Sequence, residues 1–407
     1  MPERAPLVML SAGEASGDQH AAALFRELRG LIPGIRGIGM GGPSMREAGI
    51  ELCFDSTGIG VIGLSEIVRH YGEIRSALEL MRNTARERRP DLLICVDYKE
   101  FNFRLAKAAK AYGIKVLFYV SPQVWAWRPG RVKSYGRIID HMAVIFPFEL
   151  PYYEAYGVPV TYVGHPLAVK VKPTISRAEA LKKYELVDGR HREESGGGDS
   201  TAPVIGLLPG SRANEIRRLL PVILESAREL AGEFGQARFL LFQAPSVPDA
   251  AIQAEVERLD SRLDLRIIRG QDYDALQCCD AVITVSGTAT LEVALLGVPM
   301  VIIYRLSPLS YWLGRLLVKV PFIGLPNILA GKSVVREFIQ DEANPSNIAG
   351  EVAKLLSDGV YADTIRAELR GIRAQLGQRD GSAELARLAA RMLAPTLPRH
   401  EANTDHI

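Results

Sequence analysis

The stretch Ala281–Tyr304, AVITVSGTATLEVALLGVPMVIIY, decides the fold because it reads two ways. Its length and apolarity suit a membrane span. A span centred here, however, would bury Glu292 near the bilayer midplane at a cost on the order of several kcal/mol, with Gly297 and Pro299 interrupting the helix. The pattern divides better into a buried strand AVITV, a turn SGTA, a helix TLEVALLG ended by Gly297, and a next strand PMVIIY. That division puts Ser286, Gly287 and Thr288 at the carboxyl edge of a parallel sheet and the start of a helix, where α/β folds bind ligands. Free N–H groups and the positive end of the helix dipole favour a phosphate there, and Gly287 lets a ligand approach the backbone. Glu292, about one turn on, is positioned to accept bonds from two ribose hydroxyls. The plainer alternative is that Ser286 or Thr288 only caps the helix.

The same strand–turn–helix arrangement stands earlier in LLPGSRANEI. There Gly210 and Ser211 turn the chain, and Arg212 stands where a guanidinium can clamp a diphosphate; an ordinary loop with a solvated Arg is the alternative. Around these motifs VIGLLPGS, ARFLLFQAP, LDLRIIRG and AVITVSG alternate with helical patterns, giving a βα series over roughly 168–345. An independent series fills the first 167 residues, with strands in LVMLSA, DLLICVD, KVLFYVS, HMAVIFPFE and VTYVGHP. The expectation is therefore an α/β chain of two Rossmann-like domains, 1–167 and 168–345, facing each other across a cleft. C-terminal helices over 346–393 are expected to pack back on the first domain, with a disordered tail at 394–407. The polar, Gly/Ser-rich run at 187–202 reads as a surface loop.

Composition limits the function classes. At 407 residues the chain exceeds what one core usually serves, and 49 basic against 47 acidic residues leave a net charge of only +2, no footprint for nucleic acid. Cys53, Cys95, Cys278 and Cys279 lack metal-ligand spacing and read as reduced thiols in a reducing compartment. The N-terminal apolar run is of strand length, so no signal peptide is expected and a cytoplasmic location follows.

In the first series, SAGEASGDQH crowds Glu14, Ser16, Gly17, Asp18 and His20 into a loop entering a helix, where Ser16 or Asp18 as a cap would need no further role. GIGMGGPSM is glycine-rich but a weak dinucleotide signal, lacking the helix expected directly behind it. ICVDYKEFN ends a buried strand with Asp97, a carboxylate placed to act as general base, or else a plain turn residue. VSPQVWAWRPGR sets Gln123, Trp125, Trp127 and Arg128 after the next strand, suited to a sugar face, an acyl chain or core packing. The Asp-x-Asp of GQDYDAL (Asp272, Asp274) opens a helix and is better read as capping than as a metal site, so no metal and no cofactor are expected. Segments 58–68 and 307–331 are apolar with interspersed cations in the second, which fits core or shallow contact with a headgroup layer.

Together, SAGEASGDQH, DYKEFNFRLA, YVSPQVWAWR, GHPL, LLPGSR, SGTATLE and LPNILAG resemble the lipid-A-disaccharide synthase family, inverting glycosyltransferases of the GT-B fold, from about residue 7 to 345. The resemblance implies condensation of UDP-2,3-diacylglucosamine with 2,3-diacylglucosamine 1-phosphate to a β(1→6) disaccharide and UDP. It maps the family's catalytic Asp and Arg onto Asp97 and Arg212, and its donor-site Glu and Asn onto Glu292 and Asn327. The expected UDP site is then Gly210, Ser211, Arg212, Ser286, Gly287, Thr288, Glu292 and Asn327. The acceptor is expected against Glu14, Ser16, Gly17, Asp18, His20, Asn102, Gln123 and Trp125. Acylated substrates imply a protein peripheral on the inner face of the cytoplasmic membrane, with Val61, Ile62, Leu64, Trp312, Leu316 and Phe322 as contacts. Oligomeric state stays open, a homodimer included. Another GT-B UDP-sugar transferase or a UDP-sugar epimerase is the alternative.

Overall fold

Two parallel sheets carry the chain in a computed structural model that describes residues 4–57, 71–122, 124, 130–186, 202–259, 263–306 and 321–394. The chain forms two units. One comprises everything up to Pro166 and again from Arg379, the other Leu167–Gln378. Of the segment read as C-terminal helices, the part through Gln378 thus belongs to the second unit and the part from Arg379 to the first.

The first unit holds β1 (Leu7–Ala12), β2 (Arg36–Gly41), β3 (Ile50–Asp55), β4 (Leu92–Val96), β5 (Lys115–Tyr119), β6 (His141–Val144) and β7 (Val160–Tyr162), in the order β3-β2-β1-β4-β5-β6-β7. Helices α1 (Ala15–Leu31), α2 (Pro43–Glu47), α3 (Tyr71–Arg88) and α4 (Lys99–Ala111) follow β1, β2, β3 and β4. Every residue of β1 and β4 is buried, as expected of strands covered on both faces. Side chains alternate between the two faces along β1. Leu7 and Met9 join the core under α3 and α4, whereas Val8, Leu10 and Ala12 join the core under α1.

The second unit repeats the plan with β8 (Val204–Leu208), β9 (Arg238–Gln243), β10 (Asp264–Arg269), β11 (Ala281–Val285), β12 (Met300–Tyr304) and β13 (Arg336–Ile339), ordered β10-β9-β8-β11-β12-β13. Its helices include α5 (Ala213–Glu233), α6 (Thr288–Leu296), α7 (Leu325–Ala330), α8 (Pro345–Ser357) and α9 (Gly359–Leu376). The segment Ala281–Tyr304 is β11, α6 and β12, with Gly297 in the left-handed region at φ 74° ending the helix. Its uniform apolarity has a packing cause: α6 lies against both α7 and α9, and Thr290–Leu295 are all buried. No helix among the described residues is long and apolar enough to cross a membrane.

Three strands escape the sequence pattern. β2 is half glycine, and β3 and β13 are sheet-edge strands with polar residues. The reading of GIGMGGPSM as lacking a helix directly behind it is corrected, because α2 begins at Pro43. Its five residues are too short to show a helical period, and it is held by a carboxylate from α1. All four cysteines are free thiols. The loop 187–201, the tail 395–407 and the segment 58–68 lie outside the described residues, as do 307–320, and with them Val61, Ile62, Leu64, Trp312 and Leu316.

The last helix, α10 (Gly381–Leu393), packs on α1 and puts Leu385, Ala386, Leu388 and Ala389 into that core. Asp380 caps it by accepting from the Ser382 and Ala383 amides. Leu385 is 1% exposed, so Leu385→Ala should cost about 2–5 kcal/mol. Urea unfolding followed by a first-unit probe checks this; an unchanged midpoint would mean that α10 adds nothing to that core.

Candidate active site

Both sheets reverse strand order once at a pair of neighbouring strands, β1 beside β4 and β8 beside β11. Loops leaving the carboxyl ends of such a pair diverge and leave a crevice, the usual ligand position in open α/β sheets. The expected catalytic and phosphate-binding motifs fall on these loops and the helix starts they lead into: Gly13–Gly17 and Asp97 in the first unit, Gly210–Arg212 and Ser286–Thr288 in the second.

Asp97 follows β4 directly. It and Tyr98 both adopt positive φ, 54° and 41°, a left-handed conformation that costs non-glycine residues on the order of 1–2 kcal/mol apiece. The turn folds the carboxylate back onto the end of β1, where Oδ1 accepts from the Gly13 amide at 3.0 Å and Oδ2 from the Glu14 amide at 3.3 Å. Gly17, in the first turn of α1, makes room for it: a Cβ there would lie 1.7 Å from Oδ2. Burial pushes the Asp97 carboxyl up to about 7, with Glu14 nearby adding to the rise and the two amide bonds opposing it. Desolvation wins, which leaves a carboxylate able to take and release a proton near neutrality.

The neighbouring residues divide by what their side chains touch. Asp18 is buried at 4% exposure and caps α2, accepting from the amides of Gly42 (2.7 Å), Ser44 (2.9 Å) and Met45 (3.1 Å). Its carboxylate therefore serves a helix other than its own. Asn102 is wholly buried in α4, and its Nδ2 donates to the carbonyls of Ser11, Val96 and Asp97. Glu14, whose amide meets Asp97, and Ser16 are exposed. His20 meets Tyr119 edge-on, with ring centroids 6.1 Å apart. Lys99, absent from the sequence-based set, is pushed below the usual lysine range by burial, against the pull of Glu149 and Glu14. Gln123 and Trp125 lie outside the described residues.

In the second unit, α6 starts without a side-chain cap, its N-cap being Gly287. The capping alternative for Ser286 and Thr288 is thus not used. Ser286 instead donates to the Ile323 carbonyl at 2.9 Å, and Gly287 and Thr288 are exposed. A helix N-terminus left open in this way suits an anion. Glu292 is 6% exposed, and its Oε1 accepts from Gln271 Nε2 at 2.8 Å and Tyr273 Oη at 3.1 Å. Burial raises its carboxyl above the usual range, opposed by the Tyr273 bond and by Lys170.

Gly210, at φ 97°, turns the chain into α5, and Arg212 is its N-cap residue. The Arg212 side chain is 79% exposed and pairs with Glu215 at 3.0 Å. Glu215 is largely buried, but the guanidinium lies in water, which screens the pairing and leaves the arginine weakly held. Glu215 also accepts from the Ser211 and Arg212 amides at 3.2 and 3.3 Å. Asn327 differs from these open groups. It is fully buried, its Nδ2 donates to Val335 O and Glu337, and its Oδ1 accepts from the Val334 and Val335 amides. All its hydrogen-bonding positions are filled by the chain itself, so it shapes the 323–337 segment and has no capacity left for a ligand. Phe322 is half-buried. Gln271, Tyr273, Glu215 and Glu337 were not singled out in the sequence; only Glu215 had a signal, an acid three residues after the N-cap. Among the described residues no group of three or more His, Cys, Asp or Glu could hold a metal ion.

The family model described as Lipid-A-disaccharide synthetase matches residues 8–390. The chain belongs to this family. Lipid-A-disaccharide synthase of Geobacter sulfurreducens is 48% identical over 386 residues, covering 95% of this chain and 97% of its own. That of Coxiella burnetii strain Dugway 5J108-111 is 38% identical over 388 residues, covering 95% and 98%. Among solved structures, the glycotransferase of kitacinnamycin aligns with a TM-score of 0.58 at 16% identity over 97% of this chain and 100% of that one. A putative UDP-N-acetylglucosamine 2-epimerase from Listeria monocytogenes aligns at 0.57 with 13% identity over 95% and 96%. These two likenesses establish the fold, the GT-B type with two Rossmann-like domains.

The raised Asp97 carboxyl has a consequence for stability. Its folded value, about 7, lies above the ordinary 3.8, so the native state binds more protons than the unfolded chain between those values. Stability contributed by the protonated form is full below the lower value and is lost as pH rises through the upper one. Asp97→Asn should therefore gain thermal stability over the parent as pH goes from 5 to 8. A difference in Tm that stays constant across that range would contradict the buried placement.

Proposed function

We infer that the chain works as a lipid-A-disaccharide synthase. It joins UDP-2,3-diacylglucosamine to 2,3-diacylglucosamine 1-phosphate, releasing UDP and forming a β(1→6) disaccharide 1-phosphate in lipid A and lipopolysaccharide biosynthesis. Family membership over residues 8–390 carries this reading, and the epimerase alternative rests on fold likeness alone.

In the proposed mechanism Asp97 accepts the proton of the acceptor 6-hydroxyl as that oxygen attacks the donor's anomeric carbon. The bond from that carbon to the diphosphate breaks on the opposite face, which inverts the centre. UDP departs with the electron pair, stabilised by Arg212 and the open amides at the start of α6. Arg212 exchanges its weak pairing with Glu215 for the diphosphate, and Glu292 accepts from the ribose hydroxyls. Acyl chains leave a bilayer at a cost of about 0.8 kcal/mol per CH₂, so we place the working protein at the inner surface of the cytoplasmic membrane.

Incubating the protein with both acylated substrates should yield UDP and the disaccharide. Asp97→Asn should keep UDP affinity but lose about 10²-fold or more in turnover. Near-parental turnover at saturation would remove Asp97 from the mechanism. Arg212→Ala and Glu292→Ala should each weaken UDP binding in calorimetry, and unchanged affinity in both would reject the donor assignment. Replacing Val61, Ile62, Leu64, Trp312, Leu316 and Phe322 by Ser should release the protein from anionic liposomes without unfolding it. Unchanged co-sedimentation, or loss of the fold, would make these residues core.

A further inference from the structure

We propose that Asn102 is a positioning residue for Asp97, locking the left-handed turn that carries the carboxylate, and not a contact of the acceptor sugar. This rests on the reading of Asp97 as the general base.

Three observations converge on Asn102. First, it is completely buried, which removes its side chain from any sugar at the surface of the site. Second, its two Nδ2 hydrogens are shared among three carbonyls, those of Ser11 (3.2 Å), Val96 (3.1 Å) and Asp97 (2.9 Å). One side chain therefore fastens the end of β1 to the end of β4 and grips the first residue of the Asp97–Tyr98 turn from within. Such a turn of two non-glycine residues at positive φ persists only where its surroundings over-determine it. Third, Asn102 Oδ1 is buried and accepts no hydrogen bond from any of the described residues. An amide that leaves its own acceptor unsatisfied is a poor choice for a core position whose only task is packing. Its donors, and the geometry they impose, are what it adds.

The opposite side of Asp97 is fixed by the Gly13 and Glu14 amides and by the absence of a side chain at Gly17. Among the described residues, the charged and titratable groups that interact with the carboxylate are Glu14 just before α1 and Tyr98 next along the chain, while Lys99 in the first turn of α4 is drawn to Glu149 and Glu14. With the Asn102 lock removed, the turn relaxes and water reaches the carboxylate. Its ionisation then moves back toward the ordinary range, and its oxygen leaves the position from which it takes the proton.

The test compares Asn102→Ala, Asn102→Ser and Asp97→Asn for kcat, acceptor KM, the acid limb of kcat/KM and thermal unfolding. Asn102→Ala should lower kcat about 10–100-fold, the scale of a misplacement near 1 Å. It should leave acceptor KM within about twofold and move the acid limb from near pH 7 down by about one unit or more, toward a solvated carboxylate. Asn102→Ser, which keeps one donor, should fall between Asn102→Ala and the parent. A raised acceptor KM with unchanged kcat and unchanged limb would overturn the proposal in favour of direct acceptor contact. Loss of folded protein in both Asn102 variants would overturn it in favour of a general stability role. If Asp97→Asn is inactive while Asn102→Ala matches the parent in kcat and limb, only the positioning role falls. If Asp97→Asn stays active, the base assignment itself falls.

Discussion

The closure of the Asp97 carboxylate onto the backbone at the end of β1 is the constraint on which the candidate site of the first unit depends. It exists because β1 and β4 are neighbours at the point where the strand order reverses. Side chains from both must share one crevice, and the chain fills it with a carboxylate held by two amides on one side and a turn gripped from α4 on the other. The same closeness that fixes the carboxylate also desolvates it. Position and basicity thus have a single origin.

The second unit uses the same strand order differently. The first unit closes a carboxylate onto the Gly13 and Glu14 amides of the loop leading into α1, whereas the second sets no side-chain cap on the exposed start of α6. At α5 the arrangement is intermediate, with Glu215 on the loop amides and Arg212 only loosely paired. The contrast follows the charge each unit is proposed to meet. A carboxylate held on loop amides suits a proton, and a helix start without an acid suits a diphosphate.

Much of this was legible in the sequence for a physical reason. Central strands of a doubly covered sheet are continuous apolar runs, so β1, β4, β8 and β11 announce themselves, and the loops behind them hold the candidate site residues. What was not legible depends on partners that sequence does not bring together. Asp18 reads as a cap for its own helix, yet its three amides come from 24 to 27 residues downstream. Asn102 reads as a site residue, but one of its carbonyls lies 91 residues away on β1. Asn327 is likewise occupied by the backbone of 334–335. Backbone groups are identical in every residue, so no composition or spacing marks which ones a buried amide or carboxylate will find. Glycine-rich β2 and the short edge strand β13 were hidden for the complementary reason, having too few apolar side chains to show a period.

The central claim is that the Asp97 carboxyl is desolvated by its closure on the backbone. Titration of that carboxyl by ¹³C NMR in the full-length protein, with Asp97→Asn assigning the signal, tests it directly. The account predicts a midpoint near 7. A midpoint close to 4, the range of a solvated aspartate, would contradict it.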